Sequence, residues 1–450
     1  MPDSIPFHGP VFHPGEPGYD DERLGYNLEV DHRPAIIVGA TGAADVVAAV
    51  RHAREHRIAV AVQCTGHGAS IPADGALLIT TRRMTGVHID PQQRTARIAA
   101  GVTSGLLVHE AAAFGLAPLA GTSADVGVVA YTLGGGIPVI GRRFGQAADH
   151  VRELDVVTAD GELRTVAPDR EPELFWALRG GKGNFGVVVS MVVELFEVAR
   201  LLGGAMYFDG PLMPRLLQTY RTWCEQVPDA MASSVVMLRS PDLPVVPEPV
   251  RGRRVAAVRV AFCGDPAEGE RWVERLRGVG PRLVDTVFDM PYRDIATITR
   301  DPSGPGHFFA RGSMLRALEP ATVDALLEHV APPADPPYFV ELRHFGGALS
   351  RPATIPSAAG RRDGLFSVYS GSVVQPGGLD ALRAEHDALH VALARWSSGG
   401  RCANYLSGPH VTADELASAY LPEDFARLRE IKTRWDPDNM FRINHSIAPA

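Results

Sequence analysis

The 450-residue chain sets 44 Lys and Arg against 52 Asp and Glu, a formal charge of -8 that offers no general attraction to nucleic acid or to an anionic membrane. With 45% hydrophobic and 21% charged residues and no low-complexity tract, it reads as a folded protein long enough for two or three domains. Met1 to Pro6 lacks the basic start and apolar run of a secretion signal, and no apolar run approaches a membrane span, so the expectation is a cytoplasmic protein of undetermined oligomeric state.

In chain order, Ala35 to Val38, Ala43 to His56 and Ile58 to Val62 read as strand, helix and strand from their apolar spacing. Thr95 to Ala100 and Ser104 to Phe114 repeat the strand and helix pattern. Val151 to Val166 predicts a hairpin turning at Asp160-Gly161. From about residue 200 the texture changes, with period-two strands at Val255 to Phe262 and Tyr338 to Leu342 and helices at Gly269 to Val279 and Ala321 to His329. This reads as a second domain, a sheet covered on one face by helices. Leu421 to Trp435 is an amphipathic helix with Pro422 in its first turn, Phe425, Leu428, Ile431 and Trp435 on one side, and Pro437 beyond its end.

Val38-Gly39-Ala40-Thr41-Gly42 sits where a nicotinamide-binding turn would be, but its glycine spacing is not GxGxxG. No acidic residue follows the next strand, so a plain strand-to-helix turn is favoured. Gln63-Cys64-Thr65-Gly66-His67-Gly68-Ala69-Ser70 is different: a strand runs into a turn of small residues whose peptide N–H groups can converge on a diphosphate. A second loop, Gly121 to Gly136, contains Thr122, Ser123, Val126, Gly127 and Tyr131 and ends in the triplet Gly134-Gly135-Gly136. A third turn, Arg179 to Val188, contains Gly183 and Gly186 and leads into a β-run. Three such loops point to a large ligand with several phosphates and rings. Cys64, Cys224, Cys263 and Cys402 lie far apart and suggest neither a zinc site nor a disulfide framework; no metal is expected.

The order of the three loops, together with Asn404-Tyr405 and the ending Asp436-Pro437-Asp438-Asn439-Met440-Phe441-Arg442, resembles the berberine-bridge-enzyme-like branch of the vanillyl-alcohol-oxidase flavoproteins across nearly the whole chain. The resemblance implies an α+β fold. Residues 1–200 would form a PCMH-type FAD-binding domain of two α/β subdomains, 201–400 the substrate domain, and 401–450 a segment completing the FAD domain and active site. It further implies FAD held covalently through His67 at the flavin 8α-methyl. Ser123 stands where many relatives have a second, cysteinyl link, so a single tether is expected, and Cys64 reads as a buried thiol.

The cradle implied for the cofactor consists of Gln63, Cys64, Thr65, Gly66, His67, Gly68, Ala69, Thr122, Ser123, Val126, Gly127, Tyr131, Gly134, Gly135, Gly183, Gly186, Val188 and Asn444. Tyr131 would donate to the charge on reduced flavin, and Tyr405 is the candidate base. The glutamate base of plant relatives falls near Arg351 here, and Ile137 follows the triple glycine where a tyrosine is common. One side of the strand at 338–344 would face the flavin, with either Glu341 and Arg343 or His344. The implied reaction is hydride transfer from a small organic substrate to FAD, with molecular oxygen as acceptor. A monooxygenase or oxidative cyclase, and a non-redox protein with structural FAD, are the alternatives.

Overall fold

The structure, a computed structural model, describes residues 7–450 except 332, 335, 337 and 407–410. The stretch Met1 to Pro6, on which the expectation of no secretion signal rests, lies outside the described residues.

The first sheet is small and mostly parallel. Strands Ile36–Gly39, Leu77–Thr80 and Val60–Gln63 lie side by side in that order, with Val11–Phe12 antiparallel at the edge. Their runs are apolar because both faces are covered. Helix Ala43–His56 supplies one cover by burying Val46, Ala49, Val50 and Ala53, and it stops at Arg57, which adopts φ 53°. The turn before this helix is closed by its own chain: the buried Asp45 carboxylate accepts the N–H groups of His8 and Thr41 and the Thr41 hydroxyl at 2.7–2.8 Å. The turn is thus tied down by a side chain of the helix it precedes, in keeping with the plain-turn reading.

The second sheet runs Val87–Asp90, Thr95–Ala99, Val187–Glu194, Val151–Val157, Leu163–Val166, and every pairing is antiparallel. The hairpin predicted over Val151 to Val166 joins Val151–Val157 to Leu163–Val166, a second joins Val87–Asp90 to Thr95–Ala99, and a tight hairpin can only produce antiparallel neighbours. Helix Ser104–Ala112, capped by Thr103 Oγ1, packs Leu107 and Ala111 against this sheet's core.

The third sheet follows the order Val284–Asp285, Arg200–Asp209, Arg254–Phe262, Met231–Arg239, Phe339–His344, Phe366–Val373, Phe308–Leu315, all antiparallel, with Phe288–Pro291 also pairing Arg200–Asp209. Alternation decides its two faces. Val235, Val258, Val340, Leu342 and Val368 point to one side, where helices Met213–Cys224, Pro266–Arg277, Pro320–Val330 and Leu379–Ala392 cover them with Tyr220, Trp223, Val273, Leu326 and Leu389. The opposite face carries polar residues, among them Arg259, Glu341, Arg343 and Tyr369.

Helix Pro422–Trp435 then returns to the second sheet, where Leu428 and Ile431 enter the same core as Leu133, Phe185 and Val188. The chain beyond it is fastened by a fully buried ion pair. Lys432 Nζ lies 2.6 Å from Asp436 and also donates to the carbonyls of Asn184 and Phe441, while Asp436 accepts the N–H groups of Met440 and Phe441.

Candidate active site

The first glycine-rich loop leaves the C-terminal end of Val60–Gln63, the side on which open α/β sheets receive ligands. It is held from below: Tyr26 N donates to Thr65 O at 2.8 Å, and Gln63 Nε2 donates to the carbonyls of Arg23 and Leu24. Gly66 has φ 77°, and a methyl there would run into Gly25, so glycine is required on both conformational and steric grounds. Among the described residues, the N–H groups of Thr65, Gly66, His67 and Gly68 have no acceptor within the protein. Four successive unspent donors are available to an anion.

His67 is positioned by stacking on Tyr26, with ring centroids 3.7 Å apart; Tyr26 in turn stacks on Phe308 of the large sheet. Its Nδ1 lies 2.9 Å from Thr65 Oγ1, whereas Nε2 is buried without a protein partner. Burial pushes its pKa down to about 4 against the opposing pull of Asp125, so the imidazole is neutral at physiological pH. When Nδ1–H donates to Thr65, the lone pair is on the free Nε2.

The second loop packs directly against the first. A methyl on Gly127 would lie 2.7 Å from Cys64 Sγ, so Cys64 is enclosed between the loops; burial raises its pKa against the opposing hydrogen bond to Thr81 and leaves it a protonated thiol. Ser123 Oγ accepts from Asp125 N, and the Thr122 carbonyl accepts from Thr299 Oγ1 at 2.7 Å. The carbonyls of Ala124 and Val126 accept the first amides of helix Ser104–Ala112. Tyr131, on the short helix Val128–Leu133, lies against Gly121 and Gly136 with its hydroxyl buried and unpartnered.

Part of the glycine pattern answers to the protein itself. A methyl at Gly134 would overlap Asn404 Oδ1, whose amide donates to Tyr131 O at 2.8 Å; Gly135 and Gly136 have φ 98° and 73°, and Gly135 abuts Gln146. Gly186, at φ 153°, packs on Val156 and Val157, and Val188 is in the interior behind Val128 and Leu133. These two lie behind the loops. Gly183 faces open space, and Asn444 Nδ2 reaches Gly68 O at 3.0 Å, which brings the tail to the first loop.

Asn184 connects the third turn to the tail: its side chain donates to the Gly181 and His445 carbonyls and accepts from Ile447 N. Sequence reasoning quoted this residue within the turn but gave it no role. It also missed Tyr26, which lies far from any of the loops in sequence and carries no local signal.

Across the cleft, Glu341 and Arg343 share the polar face, the first of the two orientations considered for this strand. Arg343 Nη2 lies 3.0 and 3.1 Å from the two Glu341 carboxylate oxygens, and Arg259 approaches the same carboxylate at 3.5 Å. Arg343 is also within Coulombic reach of Tyr405 and Tyr131. Tyr405 packs against Gly312 and Tyr369. A tyrosine base needs a lowered pKa, but burial pushes Tyr405 upward by more than Arg343 pulls it down. Tyr405, the candidate base, is therefore a neutral phenol in this structure. His344 turns instead to Arg142.

The orphaned His67 Nε2 and Tyr131 hydroxyl, with the unspent amides of the first loop, suit a flavin dinucleotide: donors for the diphosphate, a neutral nitrogen at one end and a phenol donor further along. Comparison with known proteins agrees. Residues 34–167 match the FAD binding domain family, and residues 409–448 match the family described as berberine and berberine like. (R)-6-hydroxynicotine oxidase of Paenarthrobacter nicotinovorans is 29% identical over 99% of this chain and 98% of its own. The crystal structure of 6-hydroxy-D-nicotine oxidase from Arthrobacter nicotinovorans superposes with a TM-score of 0.86 at 28% identity, covering 100% of both chains. Chitooligosaccharide oxidase of Gibberella zeae is 24% identical over 97% of this chain and 91% of its own.

Proposed function

Because this chain is a member of the berberine-bridge-enzyme-like FAD-linked oxidases, we propose that it holds FAD by a single covalent link through His67 and oxidises a small organic substrate in the cleft facing the large sheet. The observation that carries the proposal is His67 itself: neutral, stacked on Tyr26, and with Nε2 free beside four unspent amides. FAD when bound accepts a hydride from a substrate carbon and passes the electrons to O2, releasing hydrogen peroxide.

The protein's own groups supply attachment, orientation and charge. His67 Nε2 is the nucleophilic nitrogen for the link. Ser123, a hydroxyl engaged in its own turn, offers no second sulfur, and Cys64 is enclosed. Tyr131 keeps its proton, because burial raises its pKa well above 10, and so stands ready as a donor to negative charge. Tyr405 acts in the same protonated form and orients substrate with Arg343. An alcohol would need a base to take its proton as hydride leaves; an amine that has already lost its ammonium proton to solvent needs none, since its nitrogen lone pair drives the step. An amine is the substrate class proposed here, since nicotine is an amine and this chain is similar to (R)-6-hydroxynicotine oxidase.

Acid precipitation tests the link. A yellow pellet is expected from the wild type and a colourless one from His67→Ala; full release of FAD from the wild type would refute it. Anaerobic bleaching by amines but not by the matching alcohols tests the substrate class. Label from 18O2 appearing in the product would favour a monooxygenase instead.

A further inference from the structure

Covalent attachment at His67 requires more than a free nitrogen, because the ring must hold Nε2 in line with the carbon it bonds. The Nδ1 contact with Thr65 Oγ1 at 2.9 Å fixes one atom of the imidazole and leaves the ring free to swing about it. The face of Tyr26 removes that freedom: the two rings lie 3.7 Å apart and 13° from parallel. Misplacing reacting atoms by about 1 Å can cost on the order of a hundredfold in rate, so whatever holds Tyr26 also governs the chemistry at Nε2.

Tyr26 is held from two sides. Its backbone N–H donates to Thr65 O at 2.8 Å, which ties it to the first glycine-rich loop. Its other restraints come from one stretch of chain leading into the large sheet. The Tyr26 carbonyl accepts from Gly306 N at 2.9 Å, its hydroxyl donates to Pro302 O at 3.0 Å, and its ring stacks on Phe308 with centroids 5.2 Å apart and again 13° between planes. The neighbours of Tyr26 repeat the pattern: Leu28 N donates to Gly306 O, Asn27 Oδ1 accepts from Phe308 N, and Glu29 lies 2.6 Å from His307 Nδ1. Phe308 opens strand Phe308–Leu315, where it pairs with Val373 in the large sheet. Three nearly parallel rings therefore run from the first loop, through the segment around Tyr26, to the large sheet.

We infer that Tyr26 is a positioning residue for flavin attachment, and that it makes the bond conditional on docking of the large sheet: His67 is aligned only when Phe308 and residues 302–306 hold Tyr26 against it. This rests on the covalent reading above and adds what controls it. Attachment joins Nε2 to the 8α carbon. One hydrogen from that carbon and one from the imidazole leave as protons, and the two electrons left on the flavin pass to O2, giving hydrogen peroxide. Tyr26 and Phe308 take no part in this exchange; they set the angle at which it occurs.

The test uses the full chain, produced under riboflavin limitation and then supplied with FAD, with acid-stable flavin measured against total bound flavin over time. Tyr26→Leu, which fills the slot without a flat face, should slow attachment about tenfold, and Tyr26→Phe should restore it to within about threefold of the wild type. Phe308→Ala, one ring removed from His67, should slow it about threefold or more while total bound FAD stays within about twofold. Attachment at the wild-type rate in Tyr26→Leu or in Phe308→Ala would overturn the inference, and so would a slowing that only follows a matching loss of bound FAD. A wild type with no acid-stable flavin refutes the link itself; a linked wild type whose variants link as fast sinks the ring sandwich alone.

Discussion

Replacing Lys432 by Met removes a charge from the interior without changing side-chain volume much. Both members of the Lys432–Asp436 pair have fully inaccessible side chains, and together they hold five short contacts: the pair itself, two carbonyls and two amides. The substitution leaves the Asp436 carboxylate buried with two amide donors and no counter-charge, and frees the Asn184 and Phe441 carbonyls. Breaking a buried pair on one side costs about 3–5 kcal/mol. The loss should be felt at the cofactor, because Asn184 joins the third glycine-rich turn to His445 and Ile447. Urea unfolding of the holoprotein, followed by flavin emission, should show a destabilisation of that size for Lys432→Met. The double variant Lys432→Met/Asp436→Asn should lose less than the sum of its parts by roughly 2 kcal/mol, since it no longer strands a charge. A loss below about 1 kcal/mol for the single variant, or strict additivity in the double, would refute the account of the tail as clamped by this pair.

Three further outcomes are expected. Gly134→Ala should displace Asn404, break its bond to Tyr131 O and lower the thermal midpoint with partial loss of FAD; an unchanged midpoint with full flavin content would count against it. Tyr131→Phe should reduce kcat by about ten- to a hundredfold, the worth of a hydrogen bond to a charged group, while leaving the thermal midpoint unchanged or raised, because its hydroxyl has no partner in the fold; an unaltered kcat would remove it from the site. His386 and His390, bonded to Ser370, Ser372 and Ser313 under helix Leu379–Ala392, have pKa values pushed down to about 4 and about 3 by burial. Depressed values mean that the unfolded chain binds these protons first. Stability should therefore be full above about pH 6.5 and fall progressively towards pH 4 and below, and a His386→Asn/His390→Asn variant should melt with a flatter profile over that window in scanning calorimetry.

Local pattern carried much of the fold. Helix Ala43–His56 formed where its apolar spacing predicts, the hairpin turns at Asp160-Gly161, and Pro422 opens the last helix, because in each case adjacent residues contain both the pattern and its stop signal. The three glycine-rich loops were equally legible, with His67 in the first. The long-range pairings of Val187–Glu194 with Thr95–Ala99 and Val151–Val157 were not, since they depend on where a strand finds its partner and not on its own alternation.

The sequence by itself determined three turns of small residues, the first of them containing His67, for conformational freedom is a local property. Only the tertiary structure decided what surrounds them. Tyr26 under His67, Asn404 against Gly134, and Arg142 fixing the His344 tautomer are contacts between residues 41, 270 and 202 positions apart. The raised pKa of Tyr405 has the same origin: desolvation belongs to the packed environment and leaves no mark on neighbouring residues in the chain.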